Sequence, residues 1–144
     1  MKKKILIALA VILVLIQFVR IDKTNPETVL ENDFISVNTP PTEIAEMLKT
    51  SCYDCHSNQS VYPWYSNIAP VSWMLKQHII EAREHLNFSE WALYDTKDQA
   101  HALEECAKEV EKGNMPLSSY LIIHTESKLS DEQAAKLVAY FKSL

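Results

Sequence analysis

Glycine occurs only once in the 144 residues, at Gly113. Tight β-hairpin turns favour glycine because it adopts positive φ angles at no steric cost. The sequence also lacks any long alternation of apolar and polar residues, which is the main signal of a half-buried strand. We therefore expect an all-α fold of four or five short helices.

A small-x-small cleavage site is missing after the apolar run at the N-terminus. Three lysines, residues 2–4, precede this run, which extends from Ile5 to Val19. A basic start followed by an apolar stretch is typical of an export signal. Its rise of about 22 Å is somewhat less than a bilayer core. Residues 1–21 are predicted to be an uncleaved signal-anchor or transmembrane helix with the domain facing the periplasm; a cleaved signal peptide is the alternative.

Basic residues are scarce outside this segment. Residues 24–144 carry 18 acidic and nine basic side chains, a formal charge of −9. Such a surface offers no phosphate-neutralising face, which excludes nucleic acid as an expected partner. A neutral or basic protein is a more plausible partner for a chain of this charge.

Helical periodicity is absent from residues 22–41, which contain three prolines and are predicted to form a linker or an extended arm. The domain is predicted over residues 42–144. Helices are expected to start near Thr42, Pro70, Thr96 and Ser130, the last with a capping box to Gln133, and a short extra helix is expected after a Ser89 cap. Gly113 is expected just past the end of the third helix.

The second of these helices is expected to bury one apolar face. This face comprises Val71, Met74, Leu75, His78, Ile79, Ala82 and Leu86.

Cysteine is scarce too, yet Cys52 and Cys55 lie three residues apart and His56 follows directly. Residues three apart on a helix are about 5–6 Å from each other, so two thiols can reach two substituents on one edge of a flat macrocycle. His56 can then turn its imidazole towards the centre of the ring. This is the C-x-x-C-H pattern of haem c attachment, with two thioethers and a histidine bound to iron.

Three other uses of the cysteines are open. A zinc site could combine Cys52 and Cys55 with Cys106 and a histidine such as His101, but a second closely spaced pair is missing. A redox C-x-x-C normally needs a βαβ setting, and a structural disulfide gives His56 no role. Cys106 itself is expected to be a buried, inert thiol.

Met115, in the sequence GNMPL, is the candidate for the second axial ligand of an iron. A methionine sulfur on the far face raises the reduction potential and suits electron transfer. Met115 as a simple core residue is one alternative. His124 is the strongest substitute ligand among the remaining histidines.

The aromatic sequence YPWYSN suggests that Trp64 and Tyr65 line a cofactor pocket or donate hydrogen bonds to propionates. Ordinary loop packing is the alternative for each residue. Arg83 is the only arginine beyond residue 24. It could pair with a propionate, although a solvated helix position is the simpler expectation.

Three stretches, CYDCHSNQSVYPWYSNIAPVSW, LNFSEW and GNMPLSSYLIIHTESKLSDEQ, resemble the haem-binding-domain family of bacterial cytochrome c-like proteins. The resemblance runs from about residue 36 to the C-terminus. It implies a cytochrome c-like helical fold around one covalently bound haem c. By this resemblance Cys52, Cys55 and His56 match the attachment motif, and Met115 matches the Met-Pro segment.

The expected function is that of a membrane-tethered, periplasmic, mono-haem c electron carrier rather than an enzyme. Its partners would be redox proteins that dock transiently, and it would act as a monomer or as a subunit of a respiratory assembly. The alternative is a haem-based peroxidase or a gas or redox sensor with an open or displaceable sixth position.

Overall fold

The computed structural model describes residues 1–144 and contains helices and turns but no strand, which confirms the all-α expectation. The α-helices are α1 (Lys2–Leu15), α2 (Phe34–Asn38), α3 (Thr42–Ser51), α4 (Tyr53–His56), α5 (Val71–His85), α6 (Thr96–Glu111), α7 (Ser118–Leu121) and α8 (Asp131–Phe141). Short 3₁₀ helices cover Ile16–Phe18, Leu30–Asn32, Trp64–Asn67, Phe88–Leu93 and Thr125–Ser127.

One hydrophobic core holds the domain together, and Phe34 is completely buried within it. Its ring packs edge-on against Phe88 and Trp91, with centroid separations of 5.1 and 4.8 Å. Asp33 caps α2 by accepting a hydrogen bond from the Ile35 amide at 2.9 Å. The residues expected to form a linker or arm therefore supply a central core residue. Five helical residues are too few to show a 3.6-residue period, so α2 could not be predicted from the apolar pattern.

Several helix ends follow the predicted chemistry. Ser130 and Gln133 form the expected capping box at the start of α8. Gly113 adopts φ +70° just beyond α6, as expected for a glycine at a helix C-terminus. Two predicted caps are wrong. Thr42 is the first residue of α3 rather than its cap, and Asn87 caps the 3₁₀ helix where Ser89 was expected.

The predicted apolar face of α5 is wrong in part. Ile79 is buried, but Val71 and Met74 are 44% and 59% exposed. In the first turn of α5 the buried residue is Ser72, seven positions before Ile79, so the face that meets the domain is rotated from the predicted apolar stripe.

Helix α1 is apolar on all sides and buries none of its residues. No helix of the structure combines the length and the apolar character that crossing a membrane requires. The predicted transmembrane anchor is therefore not supported by the structure.

Candidate functional site

Cys52 lies at a break between two helices. Its backbone (φ −128°, ψ −43°) ends α3 and begins α4, and its carbonyl accepts hydrogen bonds from the amides of Cys55 (3.2 Å) and His56 (2.9 Å). The motif is therefore not a direct continuation of α3. The single turn of α4 nevertheless keeps both thiols and the imidazole within one helical turn.

Both thiols of the motif are free and half-buried. Burial raises the pKa of Cys52 to about 12, with smaller contributions from Cys106 and Cys55. Burial likewise raises the pKa of Cys55 to about 11. Low-dielectric surroundings disfavour the thiolate, so both groups stay protonated in the neutral range.

His56 is held by a backbone carbonyl. Its Nδ1 lies 3.1 Å from the oxygen of Leu86, and its ring meets Phe88 edge-on at 6.4 Å. Because a carbonyl oxygen only accepts, Nδ1 carries the hydrogen and Nε2 keeps a free lone pair. Burial lowers the pKa of His56, which favours this neutral imidazole. A hydrogen bond from the non-ligating nitrogen is how proteins orient a histidine that binds a metal.

The segment that supplies this carbonyl is fixed by a buried polar network. Asn87 donates from Nδ2 to Oδ1 of Asn58 at 2.9 Å, and the amide of Asn58 donates to Ser89 Oγ at 3.0 Å. Asn58, Asn87 and Ser89 are all buried. Buried polar groups that are paired in this way restrict motion, so the Leu86 carbonyl is held in place relative to the motif.

Met115 lies on the loop that follows α6. The turn at Gly113 directs the chain so that the amides of Asn114 and Met115 both donate to the carbonyl of Glu109, at 3.0 and 3.2 Å. The Met115 side chain is half-buried and packs against the same core cluster as Cys52. The structure therefore brings Met115 and the motif to one hydrophobic core.

His124 has its ring nitrogens engaged by other side chains. Nε2 lies 2.9 Å from the Tyr65 hydroxyl and Nδ1 lies 3.2 Å from a Glu126 carboxylate oxygen. Tyr120 stacks on the imidazole with a centroid separation of 4.2 Å. To bind a metal, His124 would have to give up one of these contacts.

Trp64 and Tyr65 have different surroundings. Tyr65 is buried and bonded to His124, whereas Trp64 is 69% exposed and packs edge-on against Tyr65 at 5.8 Å. The structure thus places Tyr65 beside the segment that follows Met115, and it places Trp64 at the surface.

The model of the haem-binding domain family matches residues 11–143. The chain belongs to this family. The match confirms the resemblance inferred from the sequence and makes the chain a haem-binding protein. No curated protein and no solved structure matches the chain.

The residues of the motif fit a haem. Two free thiols stand one helical turn apart, and the hydrogen bond of His56 to Leu86 is made by Nδ1, which leaves the Nε2 lone pair for a ligand. Porphyrin iron takes an axial imidazole, and porphyrin vinyl groups take thiols. No group of three or more His, Cys, Asp or Glu side chains is arranged to hold a metal ion, so the zinc alternative gains no support.

Arg83 is a residue of the haem-binding domain whose role the sequence did not reveal. It is half-buried, and its Nε donates to the Ser57 carbonyl at 2.8 Å. Its Nη2 donates to Asn25 Oδ1 and to Ser60 Oγ, each at 3.0 Å. The expected solvated position is wrong. Its status as the only arginine after residue 24 was the one available signal.

Proposed function

We propose that this protein is a c-type cytochrome that binds one haem c and transfers electrons. Cys52 and Cys55 would hold the porphyrin as thioethers, and His56 would be the proximal ligand. The observation that carries the proposal is the hydrogen bond from His56 Nδ1 to the Leu86 carbonyl. His56 itself lies within one helical turn of the two free thiols. This hydrogen bond leaves the Nε2 lone pair free to coordinate iron and fixes the orientation of the imidazole ring.

Met115 would supply the second axial ligand. A thioether has no proton to lose and needs no charged partner, so it suits a half-buried position against an apolar core. The competing ligand, His124, is already engaged by Tyr65 and Glu126. When bound, the haem provides an iron that alternates between the ferrous and ferric states.

The side chains around the motif would tune this site rather than perform chemistry. Phe88 meets the His56 ring edge-on and stacks on Tyr53 at 5.3 Å, so apolar packing supports the imidazole. An iron with two protein ligands has no open position, which favours electron transfer over substrate binding. We therefore propose an electron carrier, not an enzyme, with redox proteins as transient partners and no nucleic-acid partner, working as a monomer or within a respiratory assembly.

We also propose that α1 attaches the domain to the inner membrane on its periplasmic side. The support is the three lysines that precede an apolar stretch, and the exposure of that stretch on every side of α1. A helix that is apolar all round is normally covered by protein or by lipid.

Covalent attachment is tested by expression in a host that has cytochrome maturation machinery. The intact mass should exceed that of the bare chain by one haem, and haem staining should survive denaturation. In the double variant Cys52→Ser with Cys55→Ser the stain should vanish, whereas Cys106→Ser should keep it. Staining that persists in the double variant would show that other residues hold the haem.

Axial ligation is tested by the weak sulfur-to-ferric charge-transfer band. We expect this band in the oxidised protein and its loss in Met115→Ala. Met74→Leu is the matched control, because Met74 is largely exposed. If the band is absent from the unaltered protein and carbon monoxide binds rapidly after reduction, the site is open. The peroxidase or sensor alternative would then replace electron transfer.

A further inference from the structure

The chain directly after α1 is hydrogen-bonded to the domain rather than joined to it by a loose tether. Gln17 donates to the carbonyl of Ala69 at 2.9 Å and accepts from the amide of the same residue at 3.0 Å. Trp73 donates from its indole nitrogen to the carbonyl of Val19 at 3.0 Å. These bonds set the direction in which α1 leaves the domain.

Exposed apolar side chains flank this junction in the sequence. Five of them are 43% to 73% exposed: Val61, Trp64, Ile68, Val71 and Met74. Isolated exposed apolar residues are common, but the chain after α1 bonds to this stretch at Ser60, Asn67, Ala69 and Trp73, so we treat the five as one candidate interaction surface. We call this set the 61–74 face.

The 61–74 face contributes no acidic side chain of its own. The chain has no acidic residue between positions 55 and 80, although residues 24–144 contain 18 elsewhere. Arg20 and Lys23 both donate hydrogen bonds to Asn67 at the edge of this face. Phosphate groups would repel the rest of the domain more strongly than this side, where Asp22 lies between the two cations and Asp54 accepts a hydrogen bond from the Val61 amide.

We infer that the 61–74 face lies on a phospholipid bilayer and fixes the orientation of the domain. The inference rests on the proposed attachment through α1, since that helix leaves the domain at this face. Exposed tryptophan beside apolar residues is typical of the boundary between headgroups and acyl chains. Arg20 and Lys23 would lie at the level of the lipid phosphates. The occupant is lipid rather than a protein partner because the apolar surface continues directly into α1.

The test uses the full-length protein with its haem, in vesicles of phosphatidylethanolamine and phosphatidylglycerol. Nitroxide labels are placed one at a time by Val61→Cys and Met74→Cys in a Cys106→Ser background. Leu93→Cys and Ile122→Cys are the matched controls, because both positions are exposed and apolar but lie outside the face. Accessibility of each label to oxygen, which concentrates in lipid, is compared with accessibility to a water-soluble nickel chelate.

We expect the protein to float with the vesicles. We also expect the ratio of oxygen to nickel accessibility to rise on lipid addition for the labels at 61 and 74, but not for those at 93 and 122. Flotation with no rise at 61 and 74 would overturn the orientation and leave the attachment intact. A failure to float would overturn both. If the labels at 61 and 74 are shielded from both reagents without lipid, the face contacts protein and the inference is wrong.

Discussion

The Tyr120 hydroxyl donates a hydrogen bond to Oδ2 of Asp54 over 2.7 Å, across 66 positions of the sequence. Asp54 lies between the two cysteines of the motif, and Tyr120 lies in α7, shortly after Met115. A second bond, from Ser51 Oγ to the Ser127 carbonyl at 2.9 Å, joins the same two regions. The C-x-x-C-H motif and the segment that carries the candidate second ligand are thus held together by direct side-chain bonds.

Tyr120→Phe should therefore destabilise the domain by about 1–2 kcal/mol, because Asp54 loses a donor and the ring still stacks on His124. Tyr62→Phe is the control: the Tyr62 hydroxyl is buried without a partner, so its removal should be neutral or slightly stabilising. Urea unfolding of both variants measures the difference. Equal effects would show that the Asp54 bond contributes nothing to stability.

Arg83→Gln should lower the free energy of unfolding by roughly 1–3 kcal/mol, since the Ser57 carbonyl, Asn25 and Ser60 all lose a donor. Lys97→Ala removes an exposed cation that makes no side-chain contact and should change stability by less than about 0.5 kcal/mol. Chemical denaturation followed by circular dichroism compares the two. The prediction fails if Arg83→Gln unfolds at the same midpoint as Lys97→Ala.

Cys106 should resist alkylation in the native protein. Burial raises the pKa of its thiol from 9.0 to about 12, so at pH 8 only about one molecule in 10⁴ carries the reactive thiolate. The iodoacetamide rate should rise tenfold per pH unit up to about pH 11, whereas in urea it should level off above about pH 9. A native rate that levels off near pH 9 would mean that the thiol is solvated.

Gly113→Ala should lower the free energy of unfolding by about 1 kcal/mol. A Cβ at this position would have no atom within 4 Å, so the cost comes only from the φ of +70°. Gly113→Asn should cost less, because asparagine tolerates this conformation better than alanine. Thermal unfolding of the two variants gives the order. Equal losses of stability in the two variants would mean that a steric clash of the new side chain, rather than the positive φ, causes the destabilisation.

The features that the sequence predicted well depend on neighbouring residues. The capping box of Ser130 and Gln133 and the turn at Gly113 each involve groups within a few positions. Their chemistry is local, so it can be read without knowledge of the fold. The helices with a clear 3.6-residue period were found for the same reason.

The features that the sequence did not predict depend on distant contacts. The hydrogen-bond partners of Arg83 are separated from it by 23, 26 and 58 positions in the sequence. No local sequence pattern predicts partners at such distances. The carbonyl that orients His56 belongs to Leu86, 30 positions on, and a backbone oxygen has no sequence signature. Val71 and Met74 fit the helical period of the predicted apolar face of α5. Whether such a face is buried depends on which other helices pack against it.

The N-terminal arm has a consequence for the maturation of the protein. Asn25 donates to the Ser60 carbonyl, and Asn58 donates to the Glu27 carbonyl, so the arm closes on the residues directly after the attachment motif. Under the proposed thioether attachment, the porphyrin would have to reach the cysteines before this arm closes. A chain in which the arm closed first would block its own cofactor.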